Sequence, residues 1–132
     1  MARLLLDTSA LISNWRFCSG GSLQRKTEQQ ARAWADRLAQ LYETRDVVTP
    51  VVIEFLAGVR SNHELVLARA YLSGFHVVDE GRILQSDWAR AQQIAERVPR
   101  DGKPRQMGDC LIRAVAERLR YAVISSDERF PP

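Results

Sequence analysis

Apolar residues in this chain form four short runs, separated by longer segments in which they recur every three or four positions. The runs lack the alternating polar positions of a strand with one side in solvent, so we interpret them as strands buried on both faces and paired in parallel. The longer segments have the spacing of helices with one buried side. The predicted strands are residues 3–6, 46–49, 75–78 and 121–125.

Six of the longer segments are predicted to be helices. Thr49 followed by Pro50 is typical of an N-cap and the first helical position, and this pair marks the start of the third helix. Strands that alternate with helices are typical of an α/β domain, so we predict an α/β/α sandwich around a central parallel sheet of about four to five strands. The predicted helices are residues 8–15, 28–42, 51–59, 62–72, 83–98 and 107–119.

The composition is that of a soluble globular protein, with 45% hydrophobic and 27% charged residues in a chain of 132. This length is typical of one domain, which we expect to cover residues 1–132. No apolar run approaches the roughly 20 residues of a membrane span, and Asp7 interrupts the N-terminal leucines that would suggest a signal peptide. We therefore expect a cytoplasmic protein that does not bind membranes.

The charge pattern gives a weak indication of a phosphate-bearing partner. The net charge is +3, and all but two of the basic residues are arginine. Arginine suits phosphate groups, and a basic balance is compatible with nucleic acid binding. An ordinary solvated surface explains the same composition equally well. Cys18 and Cys110 lie far apart without metal-binding spacing, so we expect reduced thiols.

Four acidic residues are predicted to meet at one edge of the sheet. Asp7 and Asp127 follow the first and last predicted strands, whereas Glu54 and Asp109 lie near the starts of helices. In a right-handed β–α–β unit, the helix begins at the edge where the preceding strand ends. Ligands of open α/β sheets bind at that edge. The topology therefore predicts that these carboxylates face a common site.

Each acid also has a purely structural interpretation. Asp7 is placed to cap a helix, Asp109 in a first turn is favoured by the helix dipole, and Asp127 is typical of a turn. Glu54 is harder to explain in this way, because it is the only charged residue in the apolar segment 51–59. An ionised group in such a segment is costly unless something compensates its charge.

Carboxylates brought together repel one another, which raises the pKa values of some of them unless a cation compensates the charge. Carboxylate oxygens suit Mg²⁺, with Mn²⁺ as a possible substitute. The two histidines, His63 and His76, lie outside the acidic segments, which argues against zinc and against a histidine-activated nucleophile. A divalent cation polarises a phosphoryl oxygen and activates water, so the predicted chemistry is phosphodiester hydrolysis.

The chain resembles the PIN-domain ribonucleases, specifically the VapC toxins of type II toxin–antitoxin pairs. The resemblance extends over essentially the whole chain and is carried by four segments at family-like distances. These segments are LLLDTSALI, TPVVIEFLAGVR, GDCLIRAVAERL and VISSDERF.

The resemblance implies a Mg²⁺-dependent endoribonuclease whose catalytic residues are Asp7, Glu54, Asp109 and Asp127. Asp7 and Asp109 would be direct metal ligands, and Asp127 would bind the metal directly or through water. Glu54 would orient or deprotonate the attacking water. Arg129 stands where many members of the family carry another acid, which leaves the number of metal ions open.

The resemblance also implies supporting residues and partners. Ser9 and Ser125 would hold carboxylates in place by hydrogen bonds. The implied partners are a VapB-type antitoxin whose C-terminal tail occupies the active-site groove, a second copy of the chain in a homodimer, and a tRNA or rRNA substrate. Arg100, Lys103 and Arg105 precede Asp109 and are candidates for binding RNA phosphates, although a solvated loop explains them equally well.

Two alternative functions are compatible with parts of the pattern. A PIN-like module that binds RNA or protein without catalysis would keep the fold and lose metal binding. A phosphoacceptor receiver domain also gathers acids at one sheet edge, and Asp79 follows the third strand as its acceptor would. That class needs a lysine after the last strand, and the two lysines of this chain, Lys26 and Lys103, lie elsewhere.

Overall fold

The computed structural model describes residues 3–99, 101–127 and 130–131. Within these ranges the chain forms short strands, α-helices and one 3₁₀ turn. The strands are β1 (Arg3–Leu6), β2 (Asp46–Val47), β3 (His76–Val77) and β4 (Tyr121–Ile124). The helices are α1 (Thr8–Ser19), α2 (Glu28–Tyr42), α3 (Thr49–Ala57), α4 (Asn62–Leu72), α5 (Gln85–Ala95) and α6 (Met107–Leu119), and the 3₁₀ turn is Val78–Gly81.

The strands pair in parallel, as predicted, but they do so in two pieces. β1 pairs with β4, with Leu5 opposite Val123, and β2 pairs with β3. One sheet of four to five strands is therefore not confirmed within the described residues. β1 and the segment before β2 are joined instead by a side chain, since the Thr44 hydroxyl donates to the Leu4 carbonyl oxygen over 2.8 Å. Such a bond holds neighbouring strands together without forming a ladder.

Helices α2, α4 and α6 have the predicted bounds. Clear capping residues precede two of them: Thr27 and Gln30 form a capping box at the start of α2, and the Ser61 hydroxyl accepts the Glu64 N–H at the start of α4. Within the described ranges, no helix combines the length and the apolar character that crossing a bilayer would require.

Helices α1 and α3 differ from the prediction. α1 continues past the predicted end at residue 15 to Ser19, where Gly20 takes a left-handed conformation with φ 66°. α3 begins at Thr49, two residues earlier than predicted, because Val48 is the N-cap and Pro50 lies in the first turn. The prediction that Thr49 is the N-cap is wrong. The early start of α3 also shortens β2 relative to the predicted strand.

The main core lies between the strands, helices α1 to α4 and helix α6, and it is centred on a cluster of aromatic rings. Trp15 makes edge-on contacts with Trp34, Phe55 and Tyr71, with ring centroids 5.0 to 5.2 Å apart. Contacts of this kind add to the free energy of apolar burial. Trp88, by contrast, is half exposed on α5.

A buried polar network crosses this aromatic cluster. Asn14 donates through Nδ2 to the Trp34 carbonyl oxygen and to Tyr71 Oη, both over 2.9 Å. Tyr71 Oη in turn donates to the Leu11 carbonyl oxygen over 2.8 Å, and the Arg37 guanidinium donates to Asn14 Oδ1 over 2.7 Å. Every buried side-chain nitrogen and oxygen of the described residues has a partner. Burial raises the pKa of Tyr71 above its ordinary value, so the phenol stays protonated and can donate.

Substituting Tyr71 by phenylalanine is expected to lower the free energy of unfolding by about 1–3 kcal/mol, because a fully buried hydroxyl with two partners is lost. Urea denaturation followed by circular dichroism measures this change. The matched control is Tyr42→Phe, since the Tyr42 hydroxyl makes no hydrogen bond to the described residues; it is expected to change stability by less than about 0.5 kcal/mol. Equal effects of the two substitutions would contradict the importance of the network.

Helices α5 and α6 form a second, smaller core and lie antiparallel. Near the start of α5, Asp87 bonds Arg118 at the end of α6, and Ile94 near the end of α5 packs in the same cluster as Cys110. α5 covers residues 85–95 rather than the predicted 83–98, because the Asp87 carboxylate accepts the Leu84 N–H and fixes the helix start there. The basic loop after α5 therefore lies at the same end as the start of α6.

Candidate active site

Asp7 lies where β1 ends and α1 begins, and it has a structural role. Its N–H donates to the Ile124 carbonyl oxygen over 3.1 Å, which extends the contact between β1 and β4. Its Oδ1 accepts the Ala10 N–H over 2.9 Å and the Ser9 hydroxyl over 2.8 Å. Asp7 is therefore the N-cap of α1. Asp7 is 1% exposed, and its other oxygen, Oδ2, accepts no hydrogen bond from the described residues.

Two serines connect Asp7 to the segment that carries Asp127. The Ser9 and Ser125 hydroxyl oxygens lie 3.1 Å apart, and Ser9 Oγ also accepts the Ser126 N–H over 2.9 Å. Ser125 Oγ accepts the Asp127 N–H over 3.0 Å. These bonds fix the turn after β4 against the start of α1. Ser9 and Ser125 thus each bond to an acidic residue or its backbone, and their supporting role in catalysis stays a prediction.

Glu54 lies in α3 and is only partly buried, and its carboxylate reaches across to α1. The Thr8 hydroxyl donates to Glu54 Oε1 over 2.8 Å. Thr8 directly follows Asp7, so this bond places the Glu54 carboxylate beside the end of β1. A charged group in an apolar helix needs compensation. The Thr8 hydroxyl and partial exposure to solvent provide it for Glu54.

The Glu54 carboxylate also lies against the start of α6. A Cβ atom added to Gly108 would be 2.5 Å from Glu54 Oε2 and 2.6 Å from Glu54 Cδ. Real Cβ atoms do not approach other atoms so closely, so the carboxylate occupies space that only glycine leaves open. Asp109 follows Gly108 in the first turn of α6 and is partly buried. Glu54 thus joins the segments that carry Asp7 and Asp109.

A comparison with known families agrees with this geometry. A family model for the PIN domain matches residues 4–131. The chain belongs to the PIN domain family. A search among curated proteins found no match. PIN domains are generally nucleases, which hydrolyse phosphodiester bonds, and they typically use divalent metal ions.

The acidic residues of this PIN domain have the chemistry to bind a divalent cation, but the described acidic side chains lie too far apart to bind one together. Carboxylate oxygens are the ligands that Mg²⁺ and Mn²⁺ prefer, and Asp7 Oδ2 has no hydrogen-bond partner among the described residues. Among the described residues, however, no three His, Cys, Asp or Glu side chains lie close enough together to form a metal-binding group. The acidic segments adjoin, whereas their carboxylates do not converge on one point.

The basic residues predicted to bind RNA lie in the loop before α6. Arg100 lies outside the described residues, and Lys103 is exposed. Arg105 is partly buried and donates through Nε to the Arg97 carbonyl oxygen over 3.0 Å. Burial raises the pKa of the Cys110 thiol, and the positive charge of Arg105 opposes that rise. Part of the Arg105 guanidinium thus stabilises the loop itself, and RNA binding by this loop stays a prediction.

A groove lies beside the PIN-domain acids, and the residues that line it other than Glu54 were not predicted from the sequence. It lies between α1 and α3, has a volume of about 590 Å³ and is bordered by Glu54. Ile12 and Trp15 contribute to its apolar lining. Arg16 and Arg60 add two guanidinium groups that have no partner among the described residues, and Glu64 adds a second carboxylate beside that of Glu54. A groove of this size with an apolar lining and charged groups of both signs is suited to an extended ligand.

Two residues that contact Glu54 were also missed. Thr8 was considered only as part of the motif around Asp7, and Gly108 only as part of the motif around Asp109. Gly108 did carry a signal, because glycine inside a helix is less favourable than alanine by about 1 kcal/mol. Its presence in the first turn of α6 therefore indicates a close approach by another group.

Proposed function

We propose that this PIN domain is a Mg²⁺-dependent endoribonuclease of the VapC type, the toxin of a toxin–antitoxin pair. It would hydrolyse phosphodiester bonds in tRNA or rRNA and inhibit translation until an antitoxin neutralises it. The main support is the set of contacts that joins the acidic segments: Ser9 with Ser125 on one side, and Glu54 with Thr8 and Gly108 on the other. These contacts bring together segments that are distant in sequence at one edge of the fold.

The proposed mechanism assigns a separate task to each acid. Asp7, through Oδ2, would hold the cation together with Asp109 and Asp127, which requires these side chains to draw closer than they lie here. A bound Mg²⁺ or Mn²⁺ supplies positive charge that polarises a phosphoryl oxygen and lowers the pKa of water. Glu54, bonded through Oε1 to Thr8, would use Oε2 to orient the attacking water and accept its proton.

The proposed partners follow from the groove beside Glu54. An extended segment seated between α1 and α3 would cover Glu54 and block the approach of RNA, as a VapB-type tail would. The apolar lining supports a ligand with apolar groups, and Arg16 and Arg60, beside the acids Glu54 and Glu64, support a ligand that also carries charged groups. A homodimer is also proposed, and the half-exposed Trp88 is available to such a contact. Lys103 and Arg105 remain the proposed phosphate contacts.

One observation favours a second candidate function. Because no three acidic side chains converge among the described residues, a PIN-like module that binds RNA or protein without catalysis is compatible with the same fold. The two functions differ in a single property, which is cleavage that depends on a divalent cation.

Metal removal tests the proposal directly. Purified protein incubated with mixed tRNA and rRNA is expected to produce discrete new 5′ ends in Mg²⁺, none in EDTA, and the same ends when Mn²⁺ is added back. Sequencing of the 5′ ends identifies the bond, and Asp109→Asn protein from the same preparation controls for contaminating nucleases. Cleavage that persists in EDTA or in the Asp109→Asn protein would contradict the proposal. RNA binding without cleavage would favour the non-catalytic module.

A further inference from the structure

We propose that Thr8 and Gly108 are positioning residues that together hold the Glu54 carboxylate at the active site. Thr8 holds it by a hydrogen bond, and Gly108 holds it by leaving the space that it occupies. The inference rests on the proposed function, since the position of Glu54 matters for cleavage only if the chain is a nuclease. The contact itself can be tested without cleavage.

Thr8 acts on one oxygen of the carboxylate. Its side chain is nearly buried at the first position of α1, and its hydroxyl donates to Glu54 Oε1 over 2.8 Å. A hydroxyl that donates to a carboxylate makes a charge-assisted bond, which is stronger than a neutral one. Oε1 is thereby fixed beside Asp7, and Oε2 is left to interact with water. The bond therefore leaves Oε1 to position the carboxylate and Oε2 to act on the attacking water.

Gly108 acts through its lack of a side chain. Positive φ angles among the described glycines occur at residues 20, 21, 81 and 102, so the backbone of Gly108 does not itself require glycine. The requirement is one of space, because a Cβ would lie 2.5 to 2.8 Å from the Glu54 carboxylate atoms. The obstructing atoms are the end of a flexible side chain. A methyl group at Gly108 would therefore displace the Glu54 carboxylate rather than disrupt the fold.

The chain offers a matched control glycine. A Cβ added to Gly58, at the end of α3, would meet only the Phe55 carbonyl oxygen at 3.5 Å and the Glu54 carbonyl oxygen at 4.0 Å, which are ordinary contacts. Gly58→Ala thus adds the same methyl group close to the same helix without touching the carboxylate. Thr8→Ser is the conservative counterpart of Thr8→Val, since serine keeps the hydroxyl and valine keeps the shape.

Binding of Mn²⁺ by the purified protein, followed by electron paramagnetic resonance, is the first readout. Gly108→Ala and Thr8→Val are each expected to weaken Mn²⁺ binding about tenfold or more. The displaced Glu54 carboxylate would no longer hold a water molecule bound to the cation, and the loss of such an outer contact typically has an effect of this size. Thr8→Ser and Gly58→Ala are expected to bind Mn²⁺ as the unaltered chain does. Unchanged binding by both Gly108→Ala and Thr8→Val would overturn the inference.

A double-mutant cycle separates displacement of Glu54 from an effect on the helix. In a Glu54→Ala background there is no carboxylate to displace, so Gly108→Ala should no longer weaken Mn²⁺ binding. In the Glu54→Ala background, Gly108→Ala should also raise the melting temperature of the metal-free protein more than it does in the unaltered chain. Alanine favours the helix, and nothing obstructs its methyl group there. Equal shifts in both backgrounds would overturn the inference.

The melting comparison needs no cation, so it also separates this inference from the proposed function. One possible result is that the unaltered chain binds no Mn²⁺ while the effect of Gly108→Ala on the melting temperature still depends on Glu54. That result would support the contact between Gly108 and Glu54 and contradict the proposed nuclease function.

Discussion

Replacing Asp7 with asparagine is expected to lower the rate of RNA cleavage roughly a thousandfold while leaving the fold unchanged. The rate effect follows from the charge. A carboxylate that binds the cation contributes several kcal/mol to stabilising the transition state, and about 1.4 kcal/mol corresponds to a tenfold change in rate. An amide oxygen can still contact a cation, but it carries no charge to hold it.

The fold is expected to survive because Asp7 divides its two oxygens between different tasks. Oδ1 accepts the Ala10 N–H and the Ser9 hydroxyl, and an asparagine Oδ1 accepts both equally well. Asparagine and aspartate are similarly good N-caps, whereas alanine costs about 1 kcal/mol at such a position. Oδ2, the atom that becomes an amide nitrogen, has no partner among the described residues. Asp7→Ala should therefore lose both activity and stability.

Initial rates on a short RNA that contains the mapped cleavage site measure the effect, and thermal melting monitors the fold. Asp101→Asn is the matched control: Asp101 is an exposed acid in the loop before α6 whose Oδ1 accepts the Lys103 N–H over 3.0 Å, so it too keeps its bond as asparagine. This variant is expected to cleave at nearly the normal rate. Comparable cleavage by the Asp7→Asn and Asp101→Asn proteins would exclude Asp7 as a metal ligand.

The sequence predicted the bounds of the helices better than those of the strands. Helix bounds depend on nearby residues, whereas strand pairing depends on residues far away in the sequence. α2 and α4 begin where predicted because their N-caps, Thr27 and Ser61, are local signals that precede an amphipathic pattern. β2 and β3 are only two residues long, and the pairing of such short segments depends on distant parts of the chain. No local pattern indicates that the Thr44 side chain joins β1 where a ladder was expected.

The sequence predicted which segments adjoin at the candidate site, because topology determines this. It did not predict the positions of the side chains, which depend on packing. The topology argument placed Asp7, Glu54 and Asp109 on adjoining segments, and the contacts of Thr8 and Gly108 with Glu54 agree with that placement. The same argument cannot give the distance between two carboxylates, since that depends on rotamers and on whether a cation is bound. For the same reason it could not predict that Asp7 both caps α1 and keeps one oxygen free.

The largest stability effect is expected from the charge network that holds α5 and α6 together. Arg118 donates to both oxygens of Asp87 over 2.8 Å and to Asp79 over 2.8 Å. Asp87 is only 1% exposed, and its hydrogen bonds raise the pKa of Arg118 above its ordinary value. Removing one member of such a pair leaves a buried charge without compensation. Removing Arg118 alone is therefore expected to lower the free energy of unfolding strongly.

Arg118→Met is accordingly expected to lower the free energy of unfolding by about 3 kcal/mol, the lower end of the range for broken buried pairs, because Arg118 keeps some contact with solvent. Adding Asp87→Asn should recover most of the loss, since asparagine removes the buried charge and still accepts the Leu84 N–H. Arg90→Met is the control: it breaks the more exposed pair with Glu117 between the same helices and should cost less than about 1 kcal/mol. Urea denaturation at pH 7 measures all three.

The pH dependence provides an independent check on Arg118→Met. Hydrogen bonds from Arg118 and then Arg82 hold the pKa of Asp79 below its usual range. A carboxyl group with a lowered pKa stabilises the fold above its unfolded value of about 4, and this contribution is lost as the pH falls through the folded value. The substitution removes the largest cause of the lowering of the Asp79 pKa. The stability difference between Arg118→Met and the unaltered chain should therefore narrow as the pH falls below about 4. A difference that stays constant between pH 7 and pH 3 would show that Arg118 stabilises α5 and α6 by packing rather than by charge.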